Sequence, residues 1–451
     1  MQGRDQPQPR GIGRDRRRGR RDRRPEPLHR AAGQEVNIRG GTVVTERGAT
    51  VTDIAISDDG WILAVGTDVD AEGEEIDATG LHVFPGGIDS HVHFNEPGRT
   101  EWEDIAHGTA ALAAGGYTAF IDMPLNNLPV TTTVEAFDLK LAAMQRSAKV
   151  DYGLWGGLVP GNLDEIEALV KRGVMGFKAF MCPSGIEEFP ACDEATLREG
   201  MERIAELDSI LLVHAEEPSL LHEPNGPTAR DFADSRPAEA ELAAISSAIE
   251  MAHQTGCRLH IVHVSTVRGA ALIHEADRQG IDVSGETCPH YLLYAEDDLE
   301  RLGGLGKCAP PFRAERMKPM PILVSDHSPS SSDLKHRDDF REIWGGISGC
   351  QSTRQLLLAR TKAVDLPYVS ALTATNIATR FRMADKGDIA AGFDADLWLV
   401  DLGWEGVVRR EDLLYKNQFS AHEGQRIRGR TVKTLMRGLE PSRGEHIRPA
   451  W

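Results

Sequence analysis

His91 and His93 stand two apart at the end of an apolar run, in "FPGGIDSHVHFNEPGR". Side chains alternate along a strand, so both imidazoles leave one face together, with Asp89 behind them. Imidazole is a common metal ligand but also an ordinary core or surface group, and the pair alone decides nothing. Three more apolar runs end in the same way, "LLVHAE" at His214, "IVHVS" at His263 and "VSDHSP" at Asp326. Four imidazoles and one carboxylate, each between a strand and a loop, form a donor set for a cation.

Lys178 in "GFKAFM" is of another kind, because Phe177, Ala179, Phe180 and Met181 surround it in what reads as a buried strand. A bare ammonium buried there is costly and tends to lose its proton. The neutral amine adds carbon dioxide to give a carbamate able to bridge two cations; a lysine snorkelling to the rim, or paired with an acid, would look the same in sequence. With the carbamate, the set offers four neutral nitrogens and two anionic oxygen donors, which suits two zinc-like ions. Such a pair polarises a carbonyl and acidifies water. Asp326, with one oxygen on metal and one free, then accepts the water's proton and passes it to a leaving nitrogen. That chemistry is hydrolysis of an unactivated bond, an amide above all.

These residues can meet only if distant strands end at one mouth. From about residue 80 to 330 the chain alternates apolar strands with amphipathic helical stretches. Eight such strand units in series favour an α/β fold of the TIM type, a (β/α)₈ barrel whose active sites form at the C-terminal strand ends. Thr100 and Glu103 read as a capping box before "DIAHGTAALAAGG", whose paired glycines stop the helix. Asn162 and Asp193 read as caps of the next helices. Short strands with turn signals lie before the barrel, in "NIRGGTVV", "TVTDIAIS" and "WILAVG", and return after it in "ADLWLVDL" and "RTVKTLMRG". Together they predict a small β-sandwich lobe built from both termini. The expected division is an Arg-rich extension over 1–35, sandwich over 36–80 and 385–440, barrel over 81–384, and a tail over 441–451.

Composition narrows the partners. The net charge is -18, although the first thirty residues carry eleven arginines against four acidic side chains, so the remainder is more acidic still. Such a body repels nucleic acid and anionic membranes. The basic extension lacks the apolar segment of a secretory signal and reads as disordered. No apolar run reaches membrane-spanning length. The six cysteines show no C-x-x-C pairing and read as reduced thiols in a cytoplasmic protein.

Taken in order, "HVHFNEPGRTEWEDIAHGTAALAAGGYTAFIDMPLNN", "GFKAF", "SGIEEFP", "LLVHAE", "VHVST", "ETCPHYL", "KCAPPFR", "SDHSP" and "WGGISGCQST" resemble the allantoinases, cyclic amidohydrolases of the amidohydrolase superfamily. The similarity runs from about Val36 to Gly438. It implies a barrel with a flanking β-sandwich, two divalent ions with Zn2+ foremost, a lysine carboxylated by carbon dioxide, and a homotetramer. It implies His91, His93, Lys178, His214, His263 and Asp326 as metal ligands and Asp326 as the acid/base. The implied reaction opens the hydantoin ring of allantoin to allantoate, in purine nitrogen recovery.

Relatives acting on dihydroorotate carry arginine two residues after the second histidine, where this chain has Asn95. An asparagine amide cannot replace a charged fork on a carboxylate, but it offers a donor and an acceptor to a neutral ring or ureido arm. Asn95 also fits a turn residue bonding its own backbone. Ala309 and Ser352 match family segments that line the ring pocket. Hydantoinase, dihydropyrimidinase and dihydroorotase activities, or a non-catalytic assembly homologue, are the alternatives.

One segment departs from the family. "PPFRAERMKPMPILVSDH" runs almost directly into the last strand, and Pro319 and Pro321 forbid a helix interior. About one outer helix is missing, so the expectation is uncovered apolar barrel surface, lower stability or a displaced Asp326.

Overall fold

Parallel strands Gly87–Val92, Tyr117–Asp122, Asp151–Leu154 continued by Gly156–Gly157, Phe177–Phe180, Ile210–His214, Arg258–Ile261, Val283–Thr287 and Ile322–Leu323 pair in chain order. A bridge between Val92 and His327 joins the last strand's extension to the first and closes the ring. This computed structural model describes residues 35–67, 69, 73–362 and 365–450. The Arg-rich extension read over 1–35 therefore lies, except for Glu35, outside the described residues.

The barrel strands are buried on both faces, as "YTAFID" and "ILLVH" illustrate residue by residue. That is why they are near-continuous apolar runs without alternation. Helices Ile105–Ala114, Val134–Ser147, Ile166–Arg172, Glu194–Glu206, Ala238–Thr255 and Val267–Arg278 cover the outside between the first seven strands. Gly115 and Gly116 end the first helix as expected. Gly116 has φ +83, and a Cβ there would lie 2.5 Å from the Trp398 ring. Only glycine meets both demands.

Asp193 caps its helix by accepting from the Thr196 amide. The capping box is corrected, and Asn162 stands at the N-cap position of the turn Leu163–Glu165 but makes no side-chain cap bond. The first helix starts at Ile105 with Asp104 as cap, accepting from His107 N at 2.9 Å. Glu103 is spent elsewhere: its carboxylate accepts from Lys416 N at 3.0 Å and its carbonyl from Asn95 N at 3.1 Å. Asn162 ties loops together, accepting from Val159 N and donating to the Thr132 and Gly157 carbonyls.

Segments before and after the barrel, within residues 35–85 and 397–435, meet in one seven-stranded sheet. Its order is Arg426–Leu435, Leu397–Val407, His82–Pro85, Glu35–Thr45, Gly48–Ile56 and Ile62–Gly66, with Gly73–Asp77 also pairing on Glu35–Thr45. Ile38, Val43, Ile54, Val83, Leu397 and Leu399 form its own apolar core. His82–Pro85, expected within the barrel unit, pairs with Leu397–Val400 in this sheet, so barrel pairing begins at Gly87.

The segment lacking a helix is covered by other means. Residues 314–321 run without helix, and Met317 and Met320 fold inward, each about 5% exposed. Unbranched thioethers fill such irregular gaps well. Asn376 donates to the Pro321 carbonyl at 2.7 Å, pinning the segment from outside. The expected bare apolar strip is therefore absent at these residues, and Asp326 stays beside the opening histidines, as described below.

A buried ionic knot joins the barrel floor to the terminal sheet. Lys386 Nζ lies 2.5 Å from Asp151, 2.8 Å from Asp394 and 2.7 Å from Asp396. Arg437 adds a contact to Asp151 at 2.5 Å, and Glu445 N donates to the same carboxylate. Burial alone would lower the Lys386 pKa, but the three carboxylates outweigh it and hold the proton well above the usual lysine range. All six cysteines are free and buried, and no helix among the described residues is long and apolar enough to cross a membrane. Lys386→Met leaves three buried carboxylates facing one guanidinium, and we expect a loss of about 3–5 kcal/mol, read as a lower urea midpoint at neutral pH. An unchanged midpoint would show the knot to be energetically neutral.

Candidate active site

His91 and His93 leave the first barrel strand with ring centroids 5.3 Å apart, and both meet a carboxylate arriving from the loop after the last strand. Asp326 Oδ1 is 3.2 Å from His91 Nε2 and 3.5 Å from His93 Nε2. Across the mouth, His214 Nδ1 lies 3.0 Å from His263 Nε2. The His263 ring is 5.4 Å from that of His91, so the two groups adjoin. Lys178 completes the cluster from the fourth strand. Its Nζ lies 4.2 Å from the Phe180 ring centre, and Phe180 stacks on His214 at 4.6 Å. All six predicted ligands thus come to one place, and all six are buried.

The chain holds two of them in an uncommon backbone conformation. His263 has φ +39 and Asp326 φ +47, a left-handed region that costs a non-glycine residue of order 1 kcal/mol. At Asp326 the bend is supported on either side: Ser325 N donates to Asp89, and His93 N donates to the His327 carbonyl at 2.8 Å.

Two glutamates decide which nitrogen each histidine turns inward. His91 Nδ1 lies 2.5 Å from Glu286 Oε1, and Glu286 Oε2 lies 3.0 Å from His260 Nε2. His214 Nε2 lies 2.7 Å from Glu216 Oε2, itself gripped by Arg236. Burial raises the pKa of both carboxyls. The opposing pull of His91 and His260 on Glu286, and of Arg236 and His214 on Glu216, is larger and brings each to about 2. Ionised, they engage the outer nitrogens, which turns His91 Nε2 and His214 Nδ1 toward the cluster.

His91 Nε2 faces Asp326 Oδ1, which the surrounding imidazoles keep ionised in spite of burial. Only a shared proton or a cation reconciles such a pair in a dry site. Burial disfavours the protonated form of His93, His214 and His263, the His214 pKa falling to about 4. A cation is well placed, since the donor atoms of His91, His93 and Asp326 all lie within 4.8 Å of one another. Lys178 Nζ has no hydrogen-bond partner, and burial lowers its pKa to about 7 despite the fields of Asp326 and Glu286. The donor set fits divalent metal.

The expected substrate contacts divide. Asn95 is fully buried near the cluster's first strand, its amide nitrogen 3.5 Å from the Asn126 carbonyl and its Oδ1 without a partner. Ala309 is partly exposed in the loop whose next residue, Pro310, accepts from the Tyr291 hydroxyl. Ser352 is not brought to the cluster by any hydrogen bond of the described residues. It starts the outer helix Thr353–Leu358, hydroxyl on the Gly349 carbonyl, and that helix carries Arg354 to the Gly116 and Pro85 carbonyls at the barrel floor. Glu286, Glu216, His260 and Arg236 were missed in sequence. A glutamate inside the apolar strand "VSGET", and one two residues beyond His214 in "LLVHAE", were the available signals.

The chain matches the family model described as "Amidohydrolase family" over residues 82–437. It is 49% identical to the allantoinase of Rubrobacter xylanophilus, covering 91% of this chain and 94% of that protein. It is 46% identical to the allantoinase of Solibacter usitatus, covering 90% and 93%. In three dimensions it resembles the L-hydantoinase (dihydropyrimidinase) of Arthrobacter aurescens, with TM-score 0.87 and 30% identity over 92% of this chain and 99% of that one. The dihydropyrimidinase of Brevibacillus agri follows with TM-score 0.84 and 29% identity over 93% and 99%.

If Glu286 fixes the His91 tautomer, Glu286→Ala frees the ring and weakens divalent-metal retention about 10–100-fold, measured by competition with a chelator on folded protein. Retention equal to the parent chain would remove Glu286 from that role.

Proposed function

This chain belongs to the amidohydrolase family, in its allantoinase branch, and on that premise we propose that it hydrolyses the ring amide of allantoin to give allantoate. The observation that carries the reading is 49% identity to an allantoinase over nine-tenths of the chain. The convergence of six donors at one mouth gives that identity its chemistry.

In this reading His91, His93 and Asp326 hold one divalent ion and His214 and His263 a second, Zn2+ being favoured by the nitrogen-rich, compact donor set. When bound, the ions supply Lewis acidity at the scissile carbonyl and acidify the attacking water. Lys178 would add to carbon dioxide as the free amine: a nitrogen–carbon bond forms as one carbon–oxygen π bond opens onto oxygen, an N–H proton leaves to solvent, and the carbamate would give the donor set an anionic oxygen. Its partnerless, buried nitrogen supports this assignment.

Asp326 moves the proton. Its Oδ1 faces the histidines and accepts from Ser328 Oγ at 3.2 Å, which leaves the second oxygen to take a proton from water and return it to the departing ring nitrogen. Burial excludes bulk water that would otherwise compete for that proton. Asn95 faces the substrate as a neutral donor and acceptor, suited to allantoin's ureido arm and unsuited to the carboxylate of dihydroorotate. The Ala309 backbone borders the ring.

The wider proposal follows the sequence division. The terminal sheet acts as a sandwich lobe over 36–80 and 385–440 beside the barrel unit, and the protein works in the cytoplasm as a homotetramer. Metal-loaded protein should turn over allantoin with a kcat/KM at least about 100-fold above hydantoin and dihydroorotate; preference for either of the latter would reassign the substrate. Lys178→Ala should lower kcat by about a thousandfold or more and reduce bound metal. Unaltered turnover in that variant would exclude the carbamate.

A further inference from the structure

Besides the group of His91, His93 and Asp326, the described residues contain three compact clusters of potential ligands, two of them sharing a member with the donor set, and they differ in what fills them. Asp151, Asp394 and Asp396 enclose Lys386 Nζ. Cys182, His214 and Glu216 are closed by Arg236, whose Nη2 reaches Glu216 at 2.5 Å and Cys182 Sγ at 3.6 Å. A protein cation therefore occupies each of these two. Cys288, His290 and Asp326 form the third, with donor atoms within 4.8 Å of one another and all three side chains buried. Among the described residues, no lysine or arginine bonds any of them. His290 is fully buried and neither of its ring nitrogens has a hydrogen-bond partner.

A fully buried imidazole with both nitrogens unmatched forfeits the hydrogen bonds it would make in water, and apolar packing does not restore them. Its neighbours show what would. A thiol sulfur, an imidazole nitrogen and a carboxylate oxygen are a soft-to-borderline donor set, and bonds of about 2.0–2.3 Å to a zinc-like ion bridge their span after small side-chain rotations.

We propose that Cys288, His290 and Asp326 form a separate binding site for a soft cation of the Cd2+ class, beside the catalytic donor set and sharing Asp326 with it. Binding replaces the Cys288 Sγ–H proton with the cation, and that proton leaves to solvent. The shared carboxylate makes the site inhibitory. A cation drawn to the thiol side competes for Asp326 Oδ1, which otherwise lies 3.2 Å from His91 Nε2 and 3.5 Å from His93 Nε2. The binding claim stands on the cluster alone, whereas the inhibition claim rests on the proposed function.

The test titrates the metal-loaded enzyme with Cd2+ and follows thiolate-to-Cd charge-transfer absorption together with allantoin turnover. The catalytic donors are nitrogen and oxygen, so that absorption reports only a cysteine. We expect one thiolate-bound Cd2+ per chain, with inhibition over the same concentrations. Cys288→Ser should lose the absorption, keep its turnover without Cd2+, and need at least about tenfold more Cd2+ for half-inhibition. His290→Gln keeps the thiol and should shift both curves the same way, which covers a Cys288 variant that fails to fold. Absence of the absorption, or its survival in Cys288→Ser with loss in Cys182→Ser, overturns the site. Loss of absorption in Cys288→Ser with unchanged inhibition overturns the coupling through Asp326. An enzyme inactive on allantoin but still showing Cys288-dependent absorption would fail the functional reading and leave the binding site standing.

Discussion

A buried carboxylate on the far side of an imidazole decides what its near side can do, and this site is built on two such pairs. Glu286 takes the outer nitrogen of His91 and Glu216 that of His214. The inward atom is Nε2 in one case and Nδ1 in the other, so ring orientation is set individually. Each glutamate needs its own compensation for burial, and each has it: His260, backed by Ser284, for Glu286, and Arg236 for Glu216. With the outer nitrogens engaged, His91 Nε2 faces Asp326 Oδ1 and His214 Nδ1 faces His263 Nε2. A cation among these inward donors satisfies them together.

The barrel makes the arrangement possible at modest energetic cost. Donors come from the first, fourth, fifth and sixth strands and from the loop after the eighth, elements far apart in sequence that share one rim. Left-handed backbone at His263 and Asp326 is the local strain accepted to aim two of them. The floor is held independently. Lys386 and Arg437 knot the start of the third strand to the terminal sheet, and Gly116 lets Trp398 of that sheet press against the barrel. Rigidity below and strain above are consistent with a site that must hold its donors within tenths of an ångström.

Much of this was legible before any coordinates. Strands such as "YTAFID" and "ILLVH" announce themselves as apolar runs, because a sheet buried on both faces has no polar alternation to hide it, and the ligand histidines sit at or just past strand ends. Asp193 was readable as a cap because its work is local. Thr100 and Glu103 misled because Glu103 serves a tertiary contact to Lys416, and the same applies to Asn162 in its loop junction. Tertiary demand overrode the local signal in both. The missing outer helix was visible in the prolines, but its consequence was not. Nothing in "RMKPMP" says that two methionines will turn inward, since a flexible side chain carries no pattern. Glu286 and Glu216 were legible in principle as acids inside apolar strands, yet their partners come from other strands, and only the fold brings them together.

The most direct measurement is anomalous diffraction at the zinc edge from crystals of the protein grown with Zn2+ and bicarbonate. The account predicts two peaks per chain, one among His91 Nε2, His93 Nε2 and Asp326, the other at His214 Nδ1 and His263 Nε2, with added density on Lys178 Nζ between them. Peaks absent from those positions, or a bare lysine beside a single ion, would contradict it.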